Sequence, residues 1–571
     1  MRAPLLLCLL PFGAVAQTPI SGRVLDAATH EPLPYCNVIL VGSQRSTLTN
    51  AEGAFSIAAD TLADSLRFAY VGYRPLVLAA STVQRRNGIL LHPSAHQLTQ
   101  FVATANTKQY DRVARVAKAL RSIAPYAARS YFEMETHLDE RPVEVVECFY
   151  NGRFSGARTD GLDLKQGRIG IAPMGDRYFV SLNTTKAITL FDPTERNAHF
   201  PTSPFQWPSA KKLRKAYRVE LVSTSTDEAL DHLRMTPRDS SGIAFTVDLW
   251  LSAVSDAVEV IELHCTDCAR HPFLPLWSEH AINSVDLRIR QTWRAWNGRN
   301  VLDHLELVYT LAYANPERPE RIDTKAVLHL FDPGGAFILP LFEYDQEQPD
   351  YRKITMQPYD TLFWDRAPTL VRTAQQERDR DFLQRNGLLT GSSAPGPWKK
   401  SGFFESNCAW WSADKRVSLK SLPPPPEDAT RPAGFRSQGA AAPISQVNLE
   451  AQLYLDMDTT GGQLRVFTAT ALDGFRSYYL LPEERHTDAF INIFFDLCEM
   501  ERRTLQEQLL QPGITAERAR GIHSFWTDHM NTLTRHYLKE TSLGADRVAL
   551  AKWNARVKEA LGIDNMALFG L

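Results

Sequence analysis

Ile20-Ser21-Gly22-Arg23-Val24-Leu25-Asp26, then Thr29-His30-Glu31-Pro32-Leu33, then Val38, then Thr49-Asn50-Ala51-Glu52-Gly53-Ala54-Phe55-Ser56-Ile57, is the stretch that decides the N-terminal fold. Ile20, Gly22 and Val24 lie two apart and share one strand face, and Asp26 ends that strand. From Asp26 to Pro34 the residues favour a turn, because Asp and Thr side chains bond nearby backbone and proline removes a ladder donor. Val38, Leu40 and Gly42 resume the period of two. Asn50 to Gly53 forms a tight turn, and Phe55 and Ile57 point one way on the returning strand. Leu66, Phe68 and Tyr70 share a face before Gly72, a place for a bulge or a close backbone approach. Short strands with turns every 8–12 residues predict a β-sandwich.

The Gly-x-Val-x-Asp opening, the Pro-Leu pair and the Thr-Asn-x-x-Gly-x-Phe hairpin occur in that order. Over residues 19–92 this arrangement resembles the carboxypeptidase-regulatory-like domain, an Ig/transthyretin-like sandwich of about seven strands. The resemblance implies an N-terminal module of Bacteroidetes-type cell-envelope proteins, TonB-dependent transporters among them. Despite its name, that module has no peptidase activity in the family and is regarded as a folding or docking element. A fold and an address follow, but no reaction.

Residues 1–16 read as a signal peptide, with Arg2 as the positive region, Leu5 to Phe12 as the apolar stretch and Ala14-Val15-Ala16 as the cleavage site. That apolar stretch is too short to span a bilayer, and no later run of 18 apolar residues occurs. Export to the periplasm, or association with the outer membrane, of a Gram-negative bacterium is the expected localisation. The 571 residues supply several cores, and a formal charge of −2 gives no electrostatic reason to expect nucleic acid. Beyond the signal stand six cysteines: Cys36, Cys148, Cys265, Cys268, Cys408 and Cys498. They are too dispersed for a small disulfide scaffold, and buried thiols or one or two disulfides both fit.

The expected organisation is multidomain and mainly β with α. The sandwich occupies residues 17–93, a linker and helix 94–128, and a large antiparallel β-rich domain 129–345. A mixed segment follows over 346–420, a Pro/Ala-rich linker over 421–444, and a β-hairpin with a three-helix bundle over 445–571. Leu98 to Lys108 reads as linker, and Tyr110, Val113, Val116, Leu120 and Ile123 mark one face of a helix. Phe245, Val247 and Leu249 alternate, as do Val285, Leu287 and Ile289, and Leu305, Leu307 and Tyr309. They predict one large curved sheet, and one with a cavity would resemble lipoprotein-carrier half-barrels in architecture alone. Thr369 to Arg385 predicts a helix started by Pro368. In the last part, Leu449 to Met457 and Leu464 to Val466 form the hairpin, Thr487 caps the first helix and Thr515 opens the second.

His264-Cys265-Thr266-Asp267-Cys268-Ala269-Arg270-His271 is the densest group of soft ligands. Two thiolates and two imidazoles fill a tetrahedral zinc shell, whereas Cys-x-x-Cys in an oxidising envelope more often gives a local disulfide. Zinc-carboxypeptidase spacing is met loosely by His137, Glu140 and His264, but on antiparallel strands rather than the α/β fold such a site needs. Asp496, Glu499 and Glu501 stand near His523, Asp528, His529 and His536, yet no helix carries the Glu-x-x-His of a dimetal bundle. Solvated faces with pairs such as Glu499–Arg503 are the plainer reading. Gly167, Gly170 and Gly175 are too scattered to cradle phosphate. Trp207, Trp277, Trp293, Trp410 and Trp411 suit a core, or the lining of a glycan or lipid site.

The reading is a non-enzymatic exported envelope protein with no cofactor and no catalytic residues, which binds or assembles with another envelope protein or a glycan. The alternative is a metal-dependent hydrolase or zinc protein using His264, Cys265, Cys268 and His271. A TonB-dependent transporter itself is not expected, since its barrel of about 22 strands and its plug exceed this length.

Overall fold

The structure, a computed structural model, describes residues 18–43, 45–59, 64–94, 96–98, 107–174, 177–178, 185–207, 209–225, 229–275, 277–343, 350–390, 408–419, 447–460, 463–473 and 476–571. The signal segment, the Pro/Ala-rich span 421–444 and Gly175 lie outside the described residues.

The N-terminal strands are β1 (Thr18–Asp26), β2 (Asn37–Leu40), β3 (Ser46–Leu48), β4 (Ala54–Ala59), β5 (Ser65–Ala69), β6 (Leu76–Ala79) and β7 (Ile89–Leu91), with a one-turn helix α1 (Ala80–Val83) before the last. They form two sheets, ordered β4-β1-β7 and β3-β2-β5-β6. Ile20, Val24, Val38, Leu40, Phe55, Leu66 and Phe68 pack between them as the alternation requires. Local turn chemistry sets the register. Asp26 Oδ1 accepts the Ala28 and Thr29 N–H groups at 2.6 and 3.1 Å, and Asn50 Oδ1 accepts those of Glu52 and Ala54, both at 2.9 Å. Gly53 has φ +74°, and a Cβ there would lie 2.4 Å from the Val24 carbonyl oxygen, so the hairpin needs glycine at that position.

Next come β8 (His96–Leu98), helix α2 (Thr107–Arg121), β9 (Tyr126–Leu138), β10 (Arg141–Ser155), β11 (Arg158–Ile171) and the two-residue strands β12 (Pro173–Met174) and β13 (Arg177–Tyr178). Helices α3 (Lys186–Leu190) and α4 (Ala210–Ala216) precede β14 (Tyr217–Ser225), β15 (Leu230–Pro237), β16 (Thr246–Ser252), β17 (Val258–Cys265), β18 (Ala281–Trp296), β19 (Arg299–Ala314) and β20 (Pro319–Pro333). One antiparallel sheet of 11 strands results, ordered β11-β10-β9-β20-β19-β18-β17-β16-β15-β14-β8. Register shifts in β10, β14, β18 and β20 add local twist. The sheet starts earlier than the alternation suggests: His96–Leu98 pairs with Ser223–Ser225 inside the span expected to be linker. One face is apolar. Phe132, Met134, Leu249, Leu263, Leu305 and Leu307 bury there against Tyr110, Val113, Val116 and Leu120 of α2. Phe191, Phe200 and Phe205 pack on the same side, so helix and aromatic side chains cover this part of the face.

The remaining elements are α5 (Asp350–Thr355), α6 (Thr361–Arg366), α7 (Ala374–Arg385), β21 (Cys408–Trp410), β22 (Val447–Asn448), β23 (Ala451–Thr460), β24 (Gln463–Asp473), β25 (Tyr478–Tyr479), α8 (Thr487–Leu509), α9 (Ala516–Glu540), α10 (Arg547–Leu561) and α11 (Asn565–Leu568). Helix α7 starts at Ala374 rather than Thr369, because Thr373 and Gln376 form a reciprocal capping box. Thr487 is the first helical residue of α8 rather than its cap, and its hydroxyl accepts the Glu484 N–H at 3.0 Å. Thr515 does open α9, accepting the Arg518 N–H at 3.2 Å. The β23–β24 hairpin and helices α8 to α10 share one core through Leu453, Leu455, Phe494, Leu497, Met530 and Leu550. This C-terminal unit is fastened to the large sheet. Lys165 of β11 is fully buried and donates to Asp456, to the Met457 carbonyl at 2.8 Å and to the Ile338 carbonyl at 2.7 Å.

Candidate functional site

Of the residues singled out by spacing, Cys265 and Cys268 lie side by side, but no third ligand joins them among the described residues. Strand alternation places His264 on the exposed side of β17 while Cys265 is buried on the other side. Cys268 Sγ lies 3.2 Å from the Cys265 carbonyl, and the contact between the two side chains, thiol to thiol, pulls the Cys265 thiol down from its ordinary range. His271 stacks on Phe273 with ring centres 5.9 Å apart. Both cysteines are free thiols here. His137 sits on β9, four strands from the β17 of His264, or about 19 Å at ordinary strand spacing, and bonds Asp379 at 2.9 Å. In the helical unit the acids Asp496, Glu499 and Glu501 are each engaged by separate partners. Asp496 takes Arg416 and Trp411, Glu499 takes Arg502 and Arg503, and Glu501 takes His529 at 2.6 Å. His523 donates to the Leu453 carbonyl, and His536 pairs with Glu540 within α9. Asp528 is exposed. Among the described residues, no group of three or more His, Cys, Asp or Glu side chains is placed to hold a metal ion. Trp293 is core, Trp207 and Trp277 pack against the same cluster, and Trp410 packs against Tyr454. Gly167 and Gly170 face Ile354 and Leu383, where a side chain would collide.

Two other places stand out. The first is the second face of the large sheet. The strand registers align Arg168, Glu147, Glu133, Val327, Glu306, Arg290, Glu262, Asp248, Arg234 and Glu220 in one row across the strands from β11 to β14. Neighbours in the row form ion pairs: Arg168 with Glu147 at 2.6 Å, Arg290 with Glu262 at 3.4 Å and Arg234 with Asp248 at 2.9 Å. Half of this face is covered. The sandwich sits on it through Tyr35, Ser46 and Leu48. Leu48 packs with Tyr131, Phe149, Val327 and Phe331, and Ser46 Oγ lies 3.3 Å from His329 Nε2. The Lys325 ammonium lies 4.7 Å from the centre of the Tyr35 ring. Helices α6 and α7 cover the next strands, with Arg380 reaching Glu147 at 2.5 Å and Trp364 lying against the Arg168 guanidinium. Glu52, in the signature turn of the sandwich, accepts the Ala374 N–H at 3.0 Å and so supports the N-terminus of α7.

Burial makes these charges consequential. It pushes the Glu133 carboxyl up to about 8, reinforced by the charges of Glu135 and Glu147. It acts on Glu147 in the same direction, but Arg168, Arg380 and Arg372 outweigh it and hold that group at about 2. His329 is pushed down to about 3 by burial and stays neutral beneath Ser46. For His304, burial is outweighed by the hydrogen bonds it donates to the Asp303 and Glu306 carboxylates, which raise it. None of these groups was singled out from the sequence. The available signal was a strand such as Tyr131-Phe132-Glu133-Met134-Glu135, whose alternate residues are acidic while arginines recur at the same register in other strands.

The second place is a groove of about 800 Å³ in the C-terminal unit, within the ordinary size range of ligand sites. Its floor is apolar (Phe494, Cys498, Met530), its rim polar (Glu343, Arg476, Arg520), and the start of β23 runs along it. His523 on α9 donates through Nε2 to the Leu453 carbonyl at 2.6 Å, and burial keeps its imidazole neutral.

Residues 20–103 match the family described as the CarboxypepD_reg-like domain, so the N-terminal sandwich is a domain of that kind. No curated protein matches the chain. Among solved structures, the Pseudomonas aeruginosa MucA/MucB complex aligns at 11% identity over 38% of this chain and 93% of that one, with a TM-score of 0.14. A crystal structure of MucB aligns at 11% identity over 40% and 94% of the two chains, also with a TM-score of 0.14. TM-scores this low do not define a shared fold. No described helix is long and apolar enough to cross a membrane.

Proposed function

We propose that this chain is an exported, non-enzymatic envelope protein, periplasmic or associated with the outer membrane, that binds or assembles with another envelope component. The observation that carries the reading is how the regulatory-like domain is employed. Its outer sheet face is spent on the chain's own large sheet, with Leu48 in a shared apolar cluster and Ser46 and Tyr35 over buried ionisable groups. Such a module acts as an internal docking element. It shields charges that would otherwise face water, and the sheet in turn holds the C-terminal unit through Lys165 and Asp456. Binding of an external component then falls to the C-terminal groove, by surface complementarity rather than bond chemistry.

The test uses the full chain in its host. The mature protein recovered from envelope fractions is expected to begin at Gln17. A photoreactive residue at Ser524, on the groove, is expected to give a discrete covalent adduct with an envelope component. The same residue at Val254, an exposed turn position on the large sheet, should give none. Retention of residues 1–16 in the cytoplasm, or no adduct at Ser524, overturns the reading.

A further inference from the structure

The groove has the main-chain chemistry of an unfinished sheet. Among the described residues, β23 has a strand partner, β24, along one side only. Asp473 N–H donates to the Glu450 carbonyl at 2.9 Å and Gln452 stands opposite Ala471, so Ala451, Leu453 and Leu455 turn their main-chain groups to the other edge. Leu455 is satisfied there by a piece of the same chain, exchanging bonds of 2.8 and 3.3 Å with Leu341. Two residues further on, that piece leaves the edge. Glu343 N–H donates to the Gln452 side chain at 2.9 Å instead of to main chain. The Leu453 carbonyl is taken by His523. The Leu453 N–H and both main-chain groups of Ala451 face the groove with no partner among the described residues. The opening therefore has a strand edge along it, the departing 341–343 segment on one side and α9 on the other.

We infer that the groove binds an extended peptide segment, which adds as a strand to the Ala451–Leu453 edge and continues the pairing that Leu341 begins. Unpaired edge groups are the template that strand addition uses, with main-chain bonds giving affinity and alternate side chains giving selectivity. An apolar side chain of the peptide enters over Phe494, Cys498 and Met530, and the residues on either side of it point to the polar rim. This rests on the reading of the groove as the place where an external component binds, and names the chemistry of that component.

The purified full-length protein is panned against a phage-displayed library of random octapeptides, and the best binder is synthesised. Binding is expected to slow hydrogen exchange of the Ala451 and Leu453 amides at least tenfold. Ala451→Pro removes only an edge donor, at a position where an edge strand tolerates proline, and is expected to weaken binding tenfold or more. Ser524→Trp narrows the groove from the helix side without touching the strand and should have the same effect. A library with no binder at about 100 μM overturns the inference. So does a binder that leaves those two amides unprotected and binds both variants as tightly as the native chain. Neither result depends on the cross-link at Ser524 in cells, whose absence instead removes the reading beneath it.

Discussion

The two faces of the large sheet come from one alternation, yet they are buried by different means. On one face Phe132, Leu305 and Leu307 meet α2 in a mainly apolar contact, whose buried charges are one small group, Arg112 of α2 with Asp231 at 2.5 Å and Asp256 at its edge. On the other, part of a row of acids and arginines is covered by a separate domain and by α6 and α7, so the charges beneath them must find counter-charges or keep their protons. The difference is one of tolerance. Apolar packing weakens in proportion to the volume removed, whereas a buried ionic layer fails when one member is lost.

The largest expected effects test that contrast directly. Glu147→Gln leaves Arg168, Arg372 and Arg380 without their shared counter-charge and should cost about 3–5 kcal/mol. Phe132→Ala on the opposite face should cost a similar about 3–5 kcal/mol. Acid separates the two. The Glu147 carboxyl is held near 2 against an ordinary value of 4.5, so its contribution is complete above that ordinary value and is lost as pH falls from there to about 2. Denaturant midpoints across that window should show the E147Q deficit shrinking while the F132A deficit stays. Equal behaviour would erase the distinction between the faces.

Leu48→Ala should be next, at about 2–4 kcal/mol, because Leu48 belongs to the shared cluster and not to the sandwich core. Hydrogen exchange should rise at Val327 and Tyr131 while the strands of the sandwich stay protected. Loss of protection throughout residues 18–91 would show that the module is not a separate folding unit.

Glu133→Gln is expected to stabilise, by about 1–3 kcal/mol at pH 8, with no gain near pH 4.5. The folded chain keeps this proton up to about 8 and the unfolded chain releases it near 4.5, so native stability falls as pH rises through that interval. An amide cannot ionise and is spared the fall. Melting temperatures at the two ends of the interval decide the matter. Ser46→Ala should be smallest, at about 1 kcal/mol, through loss of the contact with His329.

Legibility in the sequence followed the range of the interactions. The sandwich was readable because its determinants are local, in the Asx turns at Asp26 and Asn50 and the glycine that the Val24 carbonyl requires at position 53. The strands of the large sheet were readable from alternation, but their second face was not. A period of two assigns Glu133, Glu147 and Glu306 to water, and only tertiary contact reveals that other elements cover them. The soft-ligand group is parted for a related reason. Closeness along β17 puts His264 and Cys265 on opposite faces. The groove carried no signal in one dimension, since its parts come from around residues 341, 451 and 523.

Glu52 has a consequence for how such modules travel between genes. The turn that marks the domain also supplies the carboxylate at the start of α7, so this copy has been fitted to its host by an acidic tip. A sister module spliced in its place would keep its own shape and leave the Ala374 N–H without that acceptor unless it brought an acid to the same spot. Recombination would then succeed in steps, the fold first and the fit after a single further mutation.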